Sequence, residues 1–243
     1  MDTRVELHFH LLPGVDDGPP TLDEAIALAR LAVEDGTGLV VCTPHVHLVE
    51  ISSLPGRVAE LGAALRAAGV PLRVSAGGEI RPGTRLTPAE LDILAQGPPG
   101  RRWVLLETPF DPRFLARFHA DARELAARGH GVLIAHPERC AELLAPGGGL
   151  DERLRQGALL QVNASSLTGA HGRWALDAGF DLLERGLVAA LASDAHGVHR
   201  PPSLEAAARL LAARGLDARP LTVDGPRRLL RDGIAALRDR PAA

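Results

Sequence analysis

Short apolar runs, each closed by a histidine, aspartate, glutamate or asparagine and separated by helix-like stretches, recur from residue 8 to residue 196. Val5-Glu6-Leu7 leads to His8 and His10, Leu39-Val40-Val41-Cys42 to His45, Val74-Ser75-Ala76 to Glu79, and Val104-Leu105-Leu106 to Glu107. Further on, Val132 to Ala135 leads to His136, Leu159 to Val162 leads to Asn163, and Leu187 to Leu191 leads to Asp194 and His196. Runs of this length, rich in Val, Leu and Ile and alternating with helices, read as parallel strands. In a closed βα architecture the C-terminal ends of such strands share one face, so polar residues placed there are gathered together.

The helices between them carry their own signals. Thr21-Leu22-Asp23-Glu24 is a capping box ahead of an apolar face made by Ala25, Ile26, Ala29, Ala32 and Val33, and Gly36 supplies the stop. A second helix is predicted over residues 57–68, and Thr87-Pro88-Ala89-Glu90 opens a third with proline at its first position. Further helices are predicted over 112–128, 170–185 and 203–214. Right-handed crossovers repeated about seven times curl such a chain into a distorted, TIM-like (β/α)7 barrel. A length of 243 residues, 46% of them hydrophobic, suits one such domain spanning 1–243.

Composition narrows the function. A formal charge of −3 and 3% aromatic residues offer neither a basic surface nor stacking platforms, so nucleic acid is not an expected partner. Cys42 and Cys140 lack a CxxC spacing, which argues against a disulfide framework. The chain enters a strand within a few residues, and no apolar run approaches membrane-spanning length. A cytoplasmic protein without an integral membrane segment is therefore expected. Neither GxxxxGK[ST], GxGxxG nor GxSxG occurs, and neither cysteine is followed by the arginine-bearing loop that a cysteine phosphatase requires.

His8-Phe9-His10 puts two imidazoles on the same side of a strand, where they can share a metal. Ser193-Asp194-Ala195-His196 repeats that spacing with one carboxylate, and the Asp16-Asp17 pair follows directly after the first motif. Any one of these could be an ordinary turn or a hydrogen-bonded strand end. Together with His45, Glu79, Glu107 and His136 at comparable positions they indicate a multinuclear metal centre, because buried carboxylates without partners are costly. His119, His130 and His171 read as solvated or capping residues, and His47 and His199 as loop residues near the site. Imidazole and carboxylate donors without thiolate suit Mn, Fe or Zn.

The succession ELHFHLLPGVDDGP, TPH, GGEI, LLETPF, AHPER, QVNASSLTG and SDAHGVHRPP resembles the PHP (polymerase and histidinol phosphatase) superfamily. Within it the chain is most similar to the bacterial PHP-type protein tyrosine phosphatases of capsule and exopolysaccharide clusters, from about residue 4 to TVDGPRRLL. The resemblance implies the PHP fold and three divalent metal ions, manganese by preference with iron or zinc as alternatives. It implies His8, His10 and Asp194 on one metal, with Glu79 bridging to a second that Glu107 and His136 complete, and Asp17, His45 and His196 on a third. It also implies phosphate-binding roles for Arg139 and Arg200, and a catalytic set of Arg139, Arg200, Asp17 and His136. Two positions depart from the family pattern: Glu6 stands in place of aspartate, and Phe9 in place of a small polar residue. Glu6 is then expected to be an outer partner of a ligand, and Phe9 to pack away from the metals.

The implied activity is metal-dependent hydrolysis of phosphotyrosine, on a bacterial tyrosine kinase that regulates polysaccharide synthesis or export. Carboxylate-bridged cations would lower the pKa of water and provide a nucleophile near neutral pH. A phenolate leaving group, with a pKa of about 10, needs less protonation than an alkoxide. Two alternatives share the fold: a small-molecule phosphomonoesterase such as a histidinol-phosphate phosphatase, and a non-catalytic PHP binding module. The full complement of ligand positions weighs against the second.

Overall fold

The computed structural model describes residues 3–235. In chain order it runs β1 (Arg4–Phe9), α1 (Leu22–Glu34), β2 (Thr37–Cys42), α2 (Leu54–Ala67), β3 (Arg73–Ala76), β4 (Glu79–Ile80), α3 (Pro88–Leu94), β5 (Trp103–Glu107), α4 (Leu115–Ala127) and β6 (Gly131–Ala135). It continues through α5 (Ala141–Leu144), α6 (Leu150–Arg155), β7 (Leu159–Asn163), α7 (Ala164–Leu167), α8 (Gly172–Glu184), β8 (Val188–Ala192), α9 (Leu204–Ala213) and α10 (Gly225–Asp232). Thr21 caps α1 as its sequence predicts, accepting from the Glu24 N–H, and Thr87 with Glu90 forms the full capping box of α3. The second helix begins at Leu54, three residues ahead of the predicted start. The short helices α5 to α7 and the C-terminal α10 were not anticipated, since one or two turns carry too little periodicity to read.

All strand pairs are parallel, in the orders β1-β2-β3 and β4-β5-β6-β7-β8. Two seams join these sheets. At the first, Phe9 bridges Ala195, with the His10 N–H donating to Ala195 O (2.9 Å) and the Asp194 N–H to His8 O (3.1 Å). At the second, β3 and β4 are halves of one strand interrupted at Gly77-Gly78. There Glu79 pairs with the end of β2 through Glu79 N–H to Pro44 O (3.0 Å) and Val46 N–H to Glu79 O (3.1 Å). Counting β3 and β4 as one, the eight strand segments make seven staves, the distorted TIM-like (β/α)7 barrel of the sequence reading. The interruption requires glycine. A Cβ on Gly77 would stand 2.6 Å from Val41 Cγ1, and one on Gly78 2.5 Å from Leu94 Cδ2.

The main apolar cluster lies where strands meet helices and includes Phe9, Leu28, Leu61, Leu106, Phe118 and Ile134. Phe9 is fully buried there, its side chain turned away from the flanking histidines by strand alternation. A smaller cluster brings Val5, Trp103 and Ala189, each near the start of its strand, against Leu229 of α10 and Ile234. The Trp103 indole N–H donates to Leu229 O (3.0 Å), so α10 covers the N-terminal mouth of the barrel and leaves the opposite mouth for the ligands.

Candidate metal centre

The C-terminal mouth collects every side chain singled out as a ligand. His8 lies in β1 with His10 just beyond it, Glu79 opens β4, Glu107 closes β5, and His45, His136, Asp194 and His196 follow β2, β6 and β8. Asp17 comes from the loop between β1 and α1. Among the described residues, His136 (φ 37°) and Asp194 (φ 50°) are the two non-glycines with positive φ. A left-handed conformation costs a non-glycine residue about 1 kcal/mol or more, so its appearance at two of the converging residues marks a site where geometry outranks backbone comfort.

The donors face one another closely. His8 Nε2 lies 3.3 Å from both Glu79 Oε1 and Asp194 Oδ1, and 3.4 Å from His10 Nε2. His136 Nε2 is 3.0 Å from Glu79 Oε1, His45 Nδ1 is 3.0 Å from Glu79 Oε2, and His196 Nε2 is 3.2 Å from Asp17 Oδ1. Among the described residues, four groups have donor atoms within 4.8 Å of one another: His10-Asp17-His45-His196, His8-His136-Asp194, His8-His10-Glu79 and His45-Glu79-Glu107. The first contains the trio implied for the third metal. The others share Glu79 and His8 in ways that set His136 beside Asp194 and Glu107 beside His45, where the resemblance had joined Glu107 with His136.

The outer partners of the imidazoles decide which nitrogen faces inward. His8 Nδ1 sits 2.9 Å from Gln161 Oε1, His10 Nδ1 2.6 Å from Asp16 Oδ2, and His196 Nδ1 2.9 Å from Asp194 O. Thr108 donates its hydroxyl to Ala135 O (3.0 Å), which leaves Oγ1 to accept from His136 Nδ1 (3.1 Å). In all four rings Nδ1 is directed outward to its partner, so Nε2 points into the cluster, the arrangement found in metal-ligating histidines. Buried His196 Nε2, His45 Nδ1 and Glu79 Oε2 make no hydrogen bond. Inward ring nitrogens and an unbonded carboxylate oxygen in one buried volume fit divalent cations, which would supply the positive charge these groups crowd around.

The electrostatics agree. Burial alone would depress His10, yet Asp16 and Glu79 outweigh it and push the imidazole up to about 10. Burial, reinforced by neighbouring Glu79, pushes the Glu107 carboxyl up to about 7. The His10 shift comes from its carboxylate neighbours overcoming burial, and the Glu107 shift from burial with Glu79 adding to it.

The sequence reading singled out Asn163 at its strand end but missed Gln161 and the bracing role of Asp16. Gln161 joins His8 to Asn163 (Nε2 to Oδ1, 2.8 Å), and Asn163 Nδ2 donates to Asp194 Oδ2 (2.8 Å), closing a buried chain between two ligand candidates. The signal was present in Leu-Leu-Gln-Val-Asn, where two amides share a strand face within an apolar run. Asp16 also accepts the His45 N–H (3.0 Å), a role that its neighbour Asp17 masks in sequence. Glu6 corrects an expectation: it contacts no ligand candidate, but accepts from the Ser193 N–H (2.8 Å) and from the Ser193 hydroxyl. Burial pushes its carboxyl up to about 8. It thereby secures the turn that presents Asp194.

Arg200 Nη2 donates to Asp194 Oδ2 (2.7 Å), and Arg139 Nη1 stands 3.6 Å from the same oxygen. The Arg139 guanidinium lies 4.6 Å over the Phe110 ring, which in turn stacks on His136 with centroids 5.5 Å apart. Glu138 does not pair with Arg139. It turns inward to accept from Ser166 Oγ (2.7 Å) and the Asn163 N–H (3.1 Å). His171, expected to be a capping or solvated residue, makes no cap. Its Nε2 lies 3.0 Å from Ser165 Oγ, and burial followed by the charges of Arg139 and Arg200 pushes it down to about 4. His119 is remote from the cluster and contacts Gly148 O (2.8 Å). Burial raises both thiols, Cys42 to about 12, which makes them inert toward phosphorus.

Comparison with known proteins places this geometry. A family model described as capsular polysaccharide synthesis, CpsB/CapC, matches residues 4–231. Tyrosine-protein phosphatase YwqE of Bacillus subtilis (strain 168) is 32% identical over 202 residues, covering 80% of this chain and 78% of the relative. Tyrosine-protein phosphatase CpsB of Streptococcus pneumoniae is 25% identical over 246 residues, covering 95% and 99%. A crystal structure from work on YwqE and CpsB, described as metal-dependent tyrosine phosphatases, superposes with a TM-score of 0.75 at 28% identity and covers 93% of both chains.

Proposed function

Because this chain belongs to the CpsB/CapC family of capsular polysaccharide synthesis, we propose that it is a metal-dependent protein-tyrosine phosphatase. Its substrate in this reading is the phosphotyrosine of a bacterial tyrosine kinase that governs polysaccharide synthesis or export. One observation carries the proposal: a buried set of inward imidazole nitrogens and carboxylates lies directly beneath two arginines at the open mouth of the barrel. His8, His10, Asp17, His45, Glu79, Glu107, His136, Asp194 and His196 would hold three divalent cations. The thiolate-free donor set suits manganese, iron or zinc, and manganese is proposed over the other two on the family resemblance.

When bound, the cations supply Lewis acidity toward water and phosphoryl oxygen. Arg139 and Arg200 bind and orient the phosphoryl group, their planar guanidinia matching its oxygens as charge redistributes. His136 and Asp17 hold their places through Thr108 and His196, and Gln161 and Asn163 keep His8 and Asp194 aligned. We further propose that residues 1–243 form one phosphatase domain acting in the cytoplasm. Among the described residues no helix is long and apolar enough to cross a membrane.

The test compares hydrolysis of a phosphotyrosine peptide and of histidinol phosphate by stripped and manganese-reloaded protein, before and after thiol alkylation. Activity should vanish on stripping, return with metal, survive alkylation and favour the phosphotyrosine peptide. A preference for histidinol phosphate would select the small-molecule alternative, and full activity after thorough stripping would refute the metal mechanism.

A further inference from the structure

Beside the cluster opens a cleft of about 350 Å³ whose floor includes Glu107. Its walls are apolar in an unusual way for exposed surface: Phe110 is 57% exposed, and Leu48 and Phe114 are exposed beside it. One edge of the Phe110 ring's surroundings is already fixed, because His136 stacks on it and Arg139 covers it, so the ring is held at the boundary between the cluster and the cleft. Arg81, two residues beyond Glu79, lines the same cleft; its carbonyl accepts from Thr84 (2.7 Å to the hydroxyl), but its exposed guanidinium makes no hydrogen bond or salt bridge among the described residues. The other charged groups there are engaged: Asp111 pairs with Arg113, while Asp17 and Glu107 belong to the cluster.

We propose that this cleft is the leaving-group pocket, with Phe110 packing against the phenol ring of phosphotyrosine and Arg81 reading an acidic residue next to that tyrosine. The inference rests on the phosphatase reading and adds to it the place of the leaving group and a preference for acidic flanking sequence. Phe110 lies under the Arg139 guanidinium and lines the cleft, so a phosphoryl group held by Arg139 and Arg200 would have the cleft beside its ester oxygen. An aromatic wall favours a flat ring over an alkyl chain through offset stacking. An exposed guanidinium without a protein partner, beside Phe110 and Phe114 and with the nearby carboxylates already engaged, complements a carboxylate on the substrate, which would replace water on it.

The aryl half is tested by inhibition, with phenylphosphonate and methylphosphonate as competitors of any phosphomonoester that the manganese-loaded protein hydrolyses. Phe110→Ala should shrink the preference for phenylphosphonate by about tenfold, the scale of one aromatic pair, and Phe110→Tyr should restore it. The acid-reading half compares kcat/KM for two phosphotyrosine peptides that differ only in glutamate or glutamine flanks. Wild type should prefer the glutamate peptide, and Arg81→Gln should erase about three- to fivefold of that preference, the scale of an exposed ion pair. A Ki ratio within twofold of wild type in Phe110→Ala overturns the aryl wall, and an unchanged peptide ratio in Arg81→Gln overturns the acidic specificity. If wild type fails on phosphotyrosine peptides altogether, the phosphatase reading falls and takes the peptide half with it. The Ki ratios still decide the pocket in that case.

Discussion

Gln161→Leu removes a residue that touches no candidate metal position directly, yet it should weaken metal binding. The wild-type amide accepts from His8 Nδ1 at 2.9 Å and donates to Asn163 Oδ1 at 2.8 Å, with all three side chains buried. Leucine nearly conserves the volume but leaves an imidazole N–H and an amide oxygen without partners, at a cost of roughly 1–3 kcal/mol each. Because both bonds belong to one chain that ends on Asp194, the losses should fall short of simple addition. The more telling loss is orientation: without its acceptor His8 can adopt the other tautomer and turn its lone pair away from Glu79 and Asp194. Loss of such an outer partner lowers metal affinity by about 10- to 100-fold. Gln161→Glu separates the two effects, since a carboxylate still accepts from His8 while facing Asn163 Oδ1 with another oxygen. Competition against a chromophoric chelator measures affinity, and urea unfolding in the presence of chelator measures stability without the metal. The glutamate variant should recover affinity more fully than stability. Wild-type affinity in Gln161→Leu would show that His8 is not held by this amide, and the tautomer argument would fail with it.

His136→Ala and Asp194→Ala should each lose most activity together with bound metal, measured by turnover and elemental analysis, whereas His119→Ala, far from the cluster, should keep both. Arg139→Ala should lower kcat by about 10²- to 10³-fold with metal content intact, and Arg139→Lys should recover only part because lysine lacks the planar fork. Turnover within a few-fold of wild type would remove Arg139 from phosphate binding. Metal binding near pH 7 should release protons, because His10, pushed up to about 10, is protonated in the metal-free protein and must become neutral to ligate. Affinity should therefore rise with pH across the neutral range. Titration calorimetry in buffers of different ionisation enthalpy reads the release directly, and a count near zero would contradict the assigned charge state.

What the sequence by itself determined is local and periodic. Alternation of apolar runs with capped helices specified parallel strands and a barrel, and placement of His8, His10, Glu79, Glu107, His136, Asp194 and His196 at run ends specified that they would converge. These signals are legible because strand alternation and helix capping act over a few residues. The tertiary structure alone decided how the ring closes, through the Phe9–Ala195 seam and the break at Gly77-Gly78 that splits one stave between two sheets. It also decided which donors stand together, which ring nitrogen faces inward, that Asp16 and not Asp17 braces His10, that Glu6 serves Ser193, and that His171 lies near the arginines rather than capping α8. None of these could be read from spacing: most pair atoms from segments distant in sequence, and the local ones, such as Asp16 with His10, depend on how the loop after β1 folds. Distances between strand ends are set by barrel closure and the packing beneath it, and a difference of one or two ångströms there separates a ligand from its support.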